Sequence, residues 1–316
     1  MKTAIVDLQF GDTGKGRVSA CFVKDADWSV KFNGGNNSGH SIYDSSGKLH
    51  KFHHLTAGAV FGKKVAIDSG SVVDLSVVKK ELDGLDIPVD LYISENVHVV
   101  QPDHLANDSD GSGIGSTKKG IAYVYADRSL RKGKRVTQKD LDAHGIEATI
   151  YRGLPPIGSN EDAIFEGAQG LQLDIDYGDY PYVTSSSIMP SSVHRIDKFI
   201  GVMKAYTTRV GDGPPNHPDI EELRIAGNEF GTTTGRPRKC TWNDIDQLQY
   251  AMSIVQPDEI VLTKMDIVED MNICVYRRGE IYTIGNANRY KNFLLETFPQ
   301  IKWISESPKG DLIKVK

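Results

Sequence analysis

A buried strand that runs into a glycine-rich turn and then a helix leaves a chain few architectures. Thr3-Ala4-Ile5-Val6 is a short apolar run of strand type. Asp7-Leu8-Gln9-Phe10-Gly11-Asp12-Thr13-Gly14-Lys15-Gly16-Arg17 follows it, and Arg17 to Lys24 reads as a helix start. Such a turn aims backbone N–H groups and a helix N-terminus at one point, which suits a phosphate. It also sets a carboxylate, Asp12, beside a lysine, Lys15. A site that only held phosphate gains nothing from the carboxylate, so the pair points to a base, a metal ligand, or both. The spacing is not that of a P-loop, which needs four residues between its glycines and Ser or Thr after the lysine. Here two residues separate Gly11 from Gly14, and Gly16 follows Lys15. Taken alone, the turn also fits a bland role as a tight connection with a solvated lysine.

Further strand-type runs recur at Trp28 to Phe32, Val65 to Ile67, Leu91 to Ser94, Ala163 to Glu166, Phe199 to Tyr206, Glu259 to Leu262 and Ile301 to Ile304. Helical patterns at Leu75 to Leu85, Asn243 to Ile254 and Arg289 to Phe298 lie between several of them. Strands alternating with helices predict an α/β fold, a mainly parallel central sheet covered by helices. Ser41 to Tyr43 and Lys51 to Leu55 read as a small antiparallel hairpin turning at Ser45-Ser46-Gly47. With no internal repeat and no convincing linker, residues 1–316 are expected to form a single large catalytic domain. The stretches least like core are Lys31 to His40, Gly111 to Gly120, Gly167 to Ser187, Arg209 to Pro218 and Gly227 to Trp242. They suit loops at the sheet's carboxyl edge.

Two of those loops carry chemistry of their own. Asn33-Gly34-Gly35-Asn36-Asn37-Ser38-Gly39-His40 can expose backbone donors, and its terminal histidine can act as an acid or hydrogen-bond donor near neutral pH. Thr232-Thr233-Thr234-Gly235-Arg236-Pro237-Arg238-Lys239 puts hydroxyls before alternating basic residues, a pattern that suits a small dicarboxylate or, equally, a solvated basic loop.

A formal net charge of −5 gives no general attraction to nucleic acid or to an anionic membrane. Cys21, Cys240 and Cys274 are widely spaced, which argues against a disulfide framework and a zinc site and fits a reducing compartment. No signal segment precedes the first strand, and no apolar run approaches the roughly 20 residues of a membrane helix. A cytoplasmic protein is expected, with neither nucleic acid nor membrane as partner.

Five motifs in order resemble the adenylosuccinate synthetase family. They are Gln9 to Gly16, Asn37-Ser38-Gly39-His40-Ser41, Phe165-Glu166-Gly167-Ala168-Gln169-Gly170, Tyr180-Pro181-Tyr182-Val183-Thr184-Ser185-Ser186, and Thr232 to Arg236, with Thr263-Lys264-Met265-Asp266 after them. The resemblance spans residue 3 to about residue 310. It implies an NTP-dependent C–N ligase that joins L-aspartate to the 6-position of a purine nucleotide through a 6-phosphoryl intermediate. It implies Asp12 as base, His40 as acid, and Lys15 as a stabiliser of the transferring phosphoryl group. Mg²⁺ is implied between Asp12, the Gly39 carbonyl and phosphate oxygens. Asn37, Thr117, Arg131, Gln169 and Thr184 match purine nucleotide-binding positions, with Arg131 reaching a neighbouring subunit's site, so a homodimer is implied. Thr234, Arg236 and Arg238 match aspartate-binding positions. Gly11, Gly14, Lys15, Gly16, Gly39, His40, Lys264, Asp266, Ser307 and Pro308 match positions around the triphosphate.

The turn departs from the usual cellular form, Gln-Trp-Gly-Asp-Glu-Gly-Lys-Gly, at Phe10 and Thr13. The form found here, Gln-Phe-Gly-Asp-Thr-Gly-Lys-Gly, and the compact frame resemble the phage branch, whose members make 2-aminoadenine DNA precursors; if the protein is phage-encoded, the host cytoplasm is the expected location. By that resemblance dGMP and ATP or dATP are the expected substrates with L-aspartate. The alternative is IMP with GTP, as in AMP synthesis; Asp12 does not decide the acceptor but weakens the phage assignment, and Lys264 and Asp266 favour GTP. A catalytically dead nucleotide-binding regulator is a more distant alternative, and the missing P-loop disfavours a simple NTPase switch.

Overall fold

The computed structural model describes residues 1–110, 116–209, 213, 216–230, 237–307 and 311–315. Its frame is a ten-stranded sheet. In chain order these strands are β1 (Lys2–Asp7), β2 (Trp28–Lys31), β3 (Lys64–Ile67), β4 (Leu91–Ser94), β5 (Thr149–Tyr151), β6 (Ala163–Glu166), β7 (Lys198–Lys204), β8 (Glu259–Thr263), β9 (Ile301–Ile304) and β10 (Ile313–Lys314). In space they run β10-β9-β8-β7-β1-β6-β2-β3-β4-β5. Neighbours are parallel throughout except for β9 and β10. This is the α/β class that the alternating pattern predicts.

β1 sits near the middle and is buried on both faces, which is why its residues are apolar without alternation. Ala4 and Val6 join one core with Phe165, Leu262, Leu248 and Tyr290. Ile5 points the other way and joins Val18, Val65, Leu75 and Val261. Helix α1 (Lys15–Val23) covers that second face through Val18 and Val23. The helices Ile245–Val255 and Ala287–Thr297 cover the first. Their starts are set by caps: Asp244 accepts from the amides of Asp246 and Gln247, and Asn286 from that of Arg289. The helix predicted over Leu75 to Leu85 ends at Asp83, where Gly84 follows.

The predicted hairpin forms between His40–Tyr43 and Leu49–Phe52. The Asp44 carboxylate accepts from the Ser46 amide and hydroxyl and the Lys48 amide, so the turn is built around one side chain. Its second strand stops at Phe52, short of the expected Leu55. The next three amides, of His53, His54 and Leu55, donate instead to the buried Glu81 carboxylate. Sequence patterning does not show the short edge strands Thr149–Tyr151 and Ile313–Lys314 or the antiparallel pair Ile273–Arg277 and Glu280–Gly285. It also misses the helices Pro102–Asp110, Ile121–Ser129 and Gln138–Ala143. Among the described residues, no helix is long and apolar enough to cross a membrane.

Burial pushes the Glu81 carboxyl up, but the His53 ring, His54 and the Leu55 and His53 amides pull it below its ordinary value. A carboxylate depressed in this way stabilises the fold above its ordinary value of 4.5, and the contribution is lost as pH falls. Glu81→Gln keeps the shape and removes the charge. It should cost about 1.5–3 kcal/mol of unfolding free energy at neutral pH. Urea titration should show the difference from the parent shrinking as pH drops below 4.5.

Candidate active site

The site is assembled on the carboxyl ends of β1, β2, β6 and β7. Each of these apolar strands ends in a charged residue, Asp7, Lys31, Glu166 and Lys204, and all four side chains are buried. Because the strands stand side by side as β7-β1-β6-β2, the four groups line one stretch of the sheet's edge.

Asp7 organises the turn above it. Its carboxylate accepts from the Gln9 amide at 2.8 Å, the Thr13 hydroxyl and the Lys15 ammonium at 3.2 Å, with the Gly11 amide more distant at 3.4 Å. To wrap one carboxylate, the chain takes the left-handed conformation at Gly11, Asp12 and Gly14, with φ of 83°, 59° and 91°. Glycine meets two of those positions without strain, and Asp tolerates the third. Lys15 also donates to the Gln169 carbonyl, tying the turn to the loop after β6. That loop lies so close that a Cβ at Gly170 would stand 2.4 Å from the Gln9 carbonyl oxygen. Gln169 is itself left-handed, and both polar atoms of its side-chain amide are buried without a partner.

His40 is held from three sides. Its Nδ1 lies 3.2 Å from Glu166 Oε1, and the other Glu166 oxygen accepts from the Ala57 amide. A carboxylate only accepts, so the proton faces it from Nδ1 and Nε2 is left bare in the neutral ring. Phe52 meets the imidazole edge-on at 6.2 Å. Gly16 presses against its base, where an added Cβ would come within 2.7 Å of the His40 Cβ. Nε2 is buried and has no partner. Burial lowers the imidazole's pKa, against the opposing pull of Glu166.

Asp12 points outward, with its side chain 41% exposed. Its carboxylate is paired with the Arg238 guanidinium, and its main-chain carbonyl faces the buried Lys204 ammonium at 3.4 Å. Thr263 at the end of β8 donates to the Thr13 carbonyl, so Lys264 and Asp266 follow directly beside the turn. Arg17 bonds the Ser305 hydroxyl, which in turn donates to the Ser307 carbonyl, bringing that segment against α1. Thr117 lies exposed just before the helix Ile121–Ser129. That helix meets the Asn33–His40 loop through Tyr125, whose hydroxyl accepts from the Gly34 amide. The Asn37 side chain accepts from the Gly35 amide within the loop. Thr184 is fixed through its amide to the Leu173 carbonyl.

The structure thus brings Gly11, Asp12, Gly14, Lys15, Gly16, Gly39, His40, Gln169, Arg238 and Lys264 around one strand edge. Arg131 stands apart from them on the surface past the helix Ile121–Ser129. Thr234, Arg236 and Pro308 lie outside the described residues. Sequence reasoning gave no role to Asp7, Glu166, Lys204 or Glu229. For the first three the available signal was a charged residue ending an apolar run.

A sequence model of the adenylosuccinate synthetase family matches residues 4–152 and 155–298. The chain belongs to the adenylosuccinate synthetase family. It is an NTP-dependent, C–N bond-forming ligase. The adenylosuccinate synthetase of Thermotoga maritima is 36% identical over 87% of this chain and 84% of its own. That of Hydrogenobaculum sp. is 37% identical over 87% and 81%. Among solved structures, adenylosuccinate synthetase from Plasmodium falciparum superposes with a TM-score of 0.86 at 24% identity, over 99% of each chain. The succinoaminodeoxyadenylate synthetase of cyanophage S-2L, bound to dGMP and dATP, gives 0.81 at 21% over 99% and 95%. At those identities the two structures carry the family fold and do not separate its branches.

The contact at Gly16 makes a test of the geometry. Gly16→Ala should displace the His40 ring and cut turnover by about 10²-fold. Circular dichroism and the unfolding midpoint should stay close to the parent's.

Proposed function

We propose that the protein joins L-aspartate to C6 of a purine nucleotide monophosphate through a 6-phosphoryl intermediate, with dGMP as acceptor and ATP or dATP as donor. The observation that carries the ligase chemistry is a set of buried polar atoms without partners, His40 Nε2 and the Gln169 amide, beside Asp12 and Lys15. A folded protein leaves such groups unpaired mainly where a ligand completes them. Asp12 takes the proton from N1 as the 6-oxygen attacks the γ-phosphate. Lys15 and the turn amides face the transferring group. His40 reaches it through Nε2; donating there requires the imidazolium, which the negative phosphoryl group favours. Aspartate nitrogen then displaces phosphate from C6. Arg238, with Thr234 and Arg236, takes the aspartate carboxylates, and Asn37, Thr117, Gln169 and Thr184 hold the acceptor.

The Asp12 carboxylate and the Gly39 carbonyl are hard oxygen donors, and two protein ligands with the rest from phosphate and water suit Mg²⁺. Held there, the ion would lower charge repulsion during transfer. The acceptor assignment is supported by the Phe10 and Thr13 form of the turn, which resembles the phage branch and its 2-aminoadenine precursor synthesis. A second reading, IMP with GTP, is supported by the 36% identity to a bacterial adenylosuccinate synthetase and by Lys264 and Asp266 beside the turn. Phosphate release should be measured with IMP, GMP and dGMP against GTP, ATP and dATP, L-aspartate present throughout. Turnover with dGMP and an adenine triphosphate is expected; product from IMP and GTP alone would replace the first reading with the second. Asp12→Ala should abolish turnover while the fold persists, and a full rate would exclude Asp12 as the base.

A homodimer in which Arg131 enters the neighbouring site completes the proposal. Arg131→Leu and Asp12→Ala, each inactive alone, should recover part of the activity when mixed, because one hybrid site then carries both native residues.

A further inference from the structure

Glu229 is 1% exposed and stands at the junction of three side chains. Its Oε1 accepts from the Lys204 ammonium at 2.8 Å and from the Tyr206 hydroxyl at 2.6 Å. Its Oε2 accepts from Nη1 of Arg238 at 2.6 Å, and its main-chain carbonyl accepts from the Arg238 amide at 3.0 Å. Lys204 donates onward to the Thr208 hydroxyl at 2.8 Å and faces the Asp12 carbonyl. Nη1 of the guanidinium is therefore held by a buried carboxylate that is itself fixed by two other groups. Nη2 is turned to the Asp12 carboxylate, and Nε is buried without a partner. A guanidinium held at Nη1 offers its remaining edge, Nε and Nη2, in a set plane, the arrangement that recognises a carboxylate.

We propose that Glu229 is a positioning residue that orients Arg238, so that its outward edge takes a carboxylate of the amino-acid substrate in exchange for Asp12. The inference rests on the reading that L-aspartate is the second substrate. The exchange has a direct consequence. Until the amino acid arrives, Arg238 occupies the Asp12 carboxylate; the incoming carboxylate replaces it as the partner of Arg238 and leaves Asp12 to face the nucleotide.

Glu229→Gln is nearly isosteric but cannot accept from Lys204, Tyr206 and Arg238 together. The KM for L-aspartate should rise about tenfold or more, the scale on which a buried charge pair loses a partner. The KM values for the acceptor nucleotide and the triphosphate should stay within about twofold, since neither contacts Arg238 on this reading. Tyr206→Phe removes one bond to Glu229 and keeps its charge, so it should give the same selective change on a smaller scale. Circular dichroism checks both variants; if Glu229→Gln fails to fold, Tyr206→Phe decides by the same criterion. An unchanged KM for L-aspartate in the folded variant, or a parallel rise in all three KM values, would overturn the proposal. Absence of aspartate-dependent phosphate release in the parent protein would instead overturn the reading on which it rests.

Discussion

The whole site hangs from a carboxylate that faces no solvent. Asp7 ends the central strand β1 beneath the glycine turn, and the turn's amides, hydroxyl and lysine close over it. Removing a carboxylate from water is costly unless its lone pairs are filled, so the chain must fold around Asp7 in a conformation that supplies donors. That demand explains the three left-handed residues in the turn. It also explains why Lys15 is drawn inward to the strand edge and why nothing larger than glycine fits at position 170.

The neighbouring strand ends follow the same logic. Glu166 is filled by His40 and the Ala57 amide, Lys31 by the His53 carbonyl, and Lys204 by Glu229 and Thr208. Each buried charge recruits a partner from outside the ten-stranded sheet, and two of these arrangements seat expected site residues. Lys31 draws in the segment after the small hairpin, Glu166 seats His40, and Lys204 with Glu229 seats Arg238. The charged ends convert a regular sheet edge into fixed positions for irregular loops. Hydrophobic packing cannot do this, because it sets no direction.

The strands and the main helices were legible in the sequence because their patterns are local: apolar runs for strands buried on both faces, and amphipathic repeats between them. The short edge strands were not, since two or three residues carry no period. The hairpin's early end was invisible for a different reason. It depends on Glu81, a residue 26 to 28 positions away whose carboxylate outcompetes the partner strand for three amides. Within the site, Asp12, Lys15 and His40 stood out by residue type and spacing. Glu166 and Glu229 did not, because their role is to hold other side chains, and that is a property of packing across the sheet.

The two departures in the turn gain a physical meaning from this frame. Thr13 is buried, its hydroxyl spent on Asp7 and its carbonyl on Thr263. Phe10 is also buried, and its ring lies 4.6 Å from the Arg209 guanidinium, which Asp179 pairs and which Tyr182 approaches at 5.5 Å. Both residues therefore act on the scaffold: Thr13 fills a lone pair of Asp7 where a longer acidic side chain would bring a second carboxylate, and Phe10 packs against an arginine. Neither side chain is open to an incoming purine. Their departure from the usual cellular turn is thus accommodated in packing. On the proposed reading, discrimination between purines would fall instead to the outward carboxylate of Asp12, once released from Arg238, and the unpartnered amide of Gln169. A carboxylate can accept from a ring N1–H or a 2-amino group, and an amide can both donate and accept, so these two groups can read the edge on which dGMP and IMP differ.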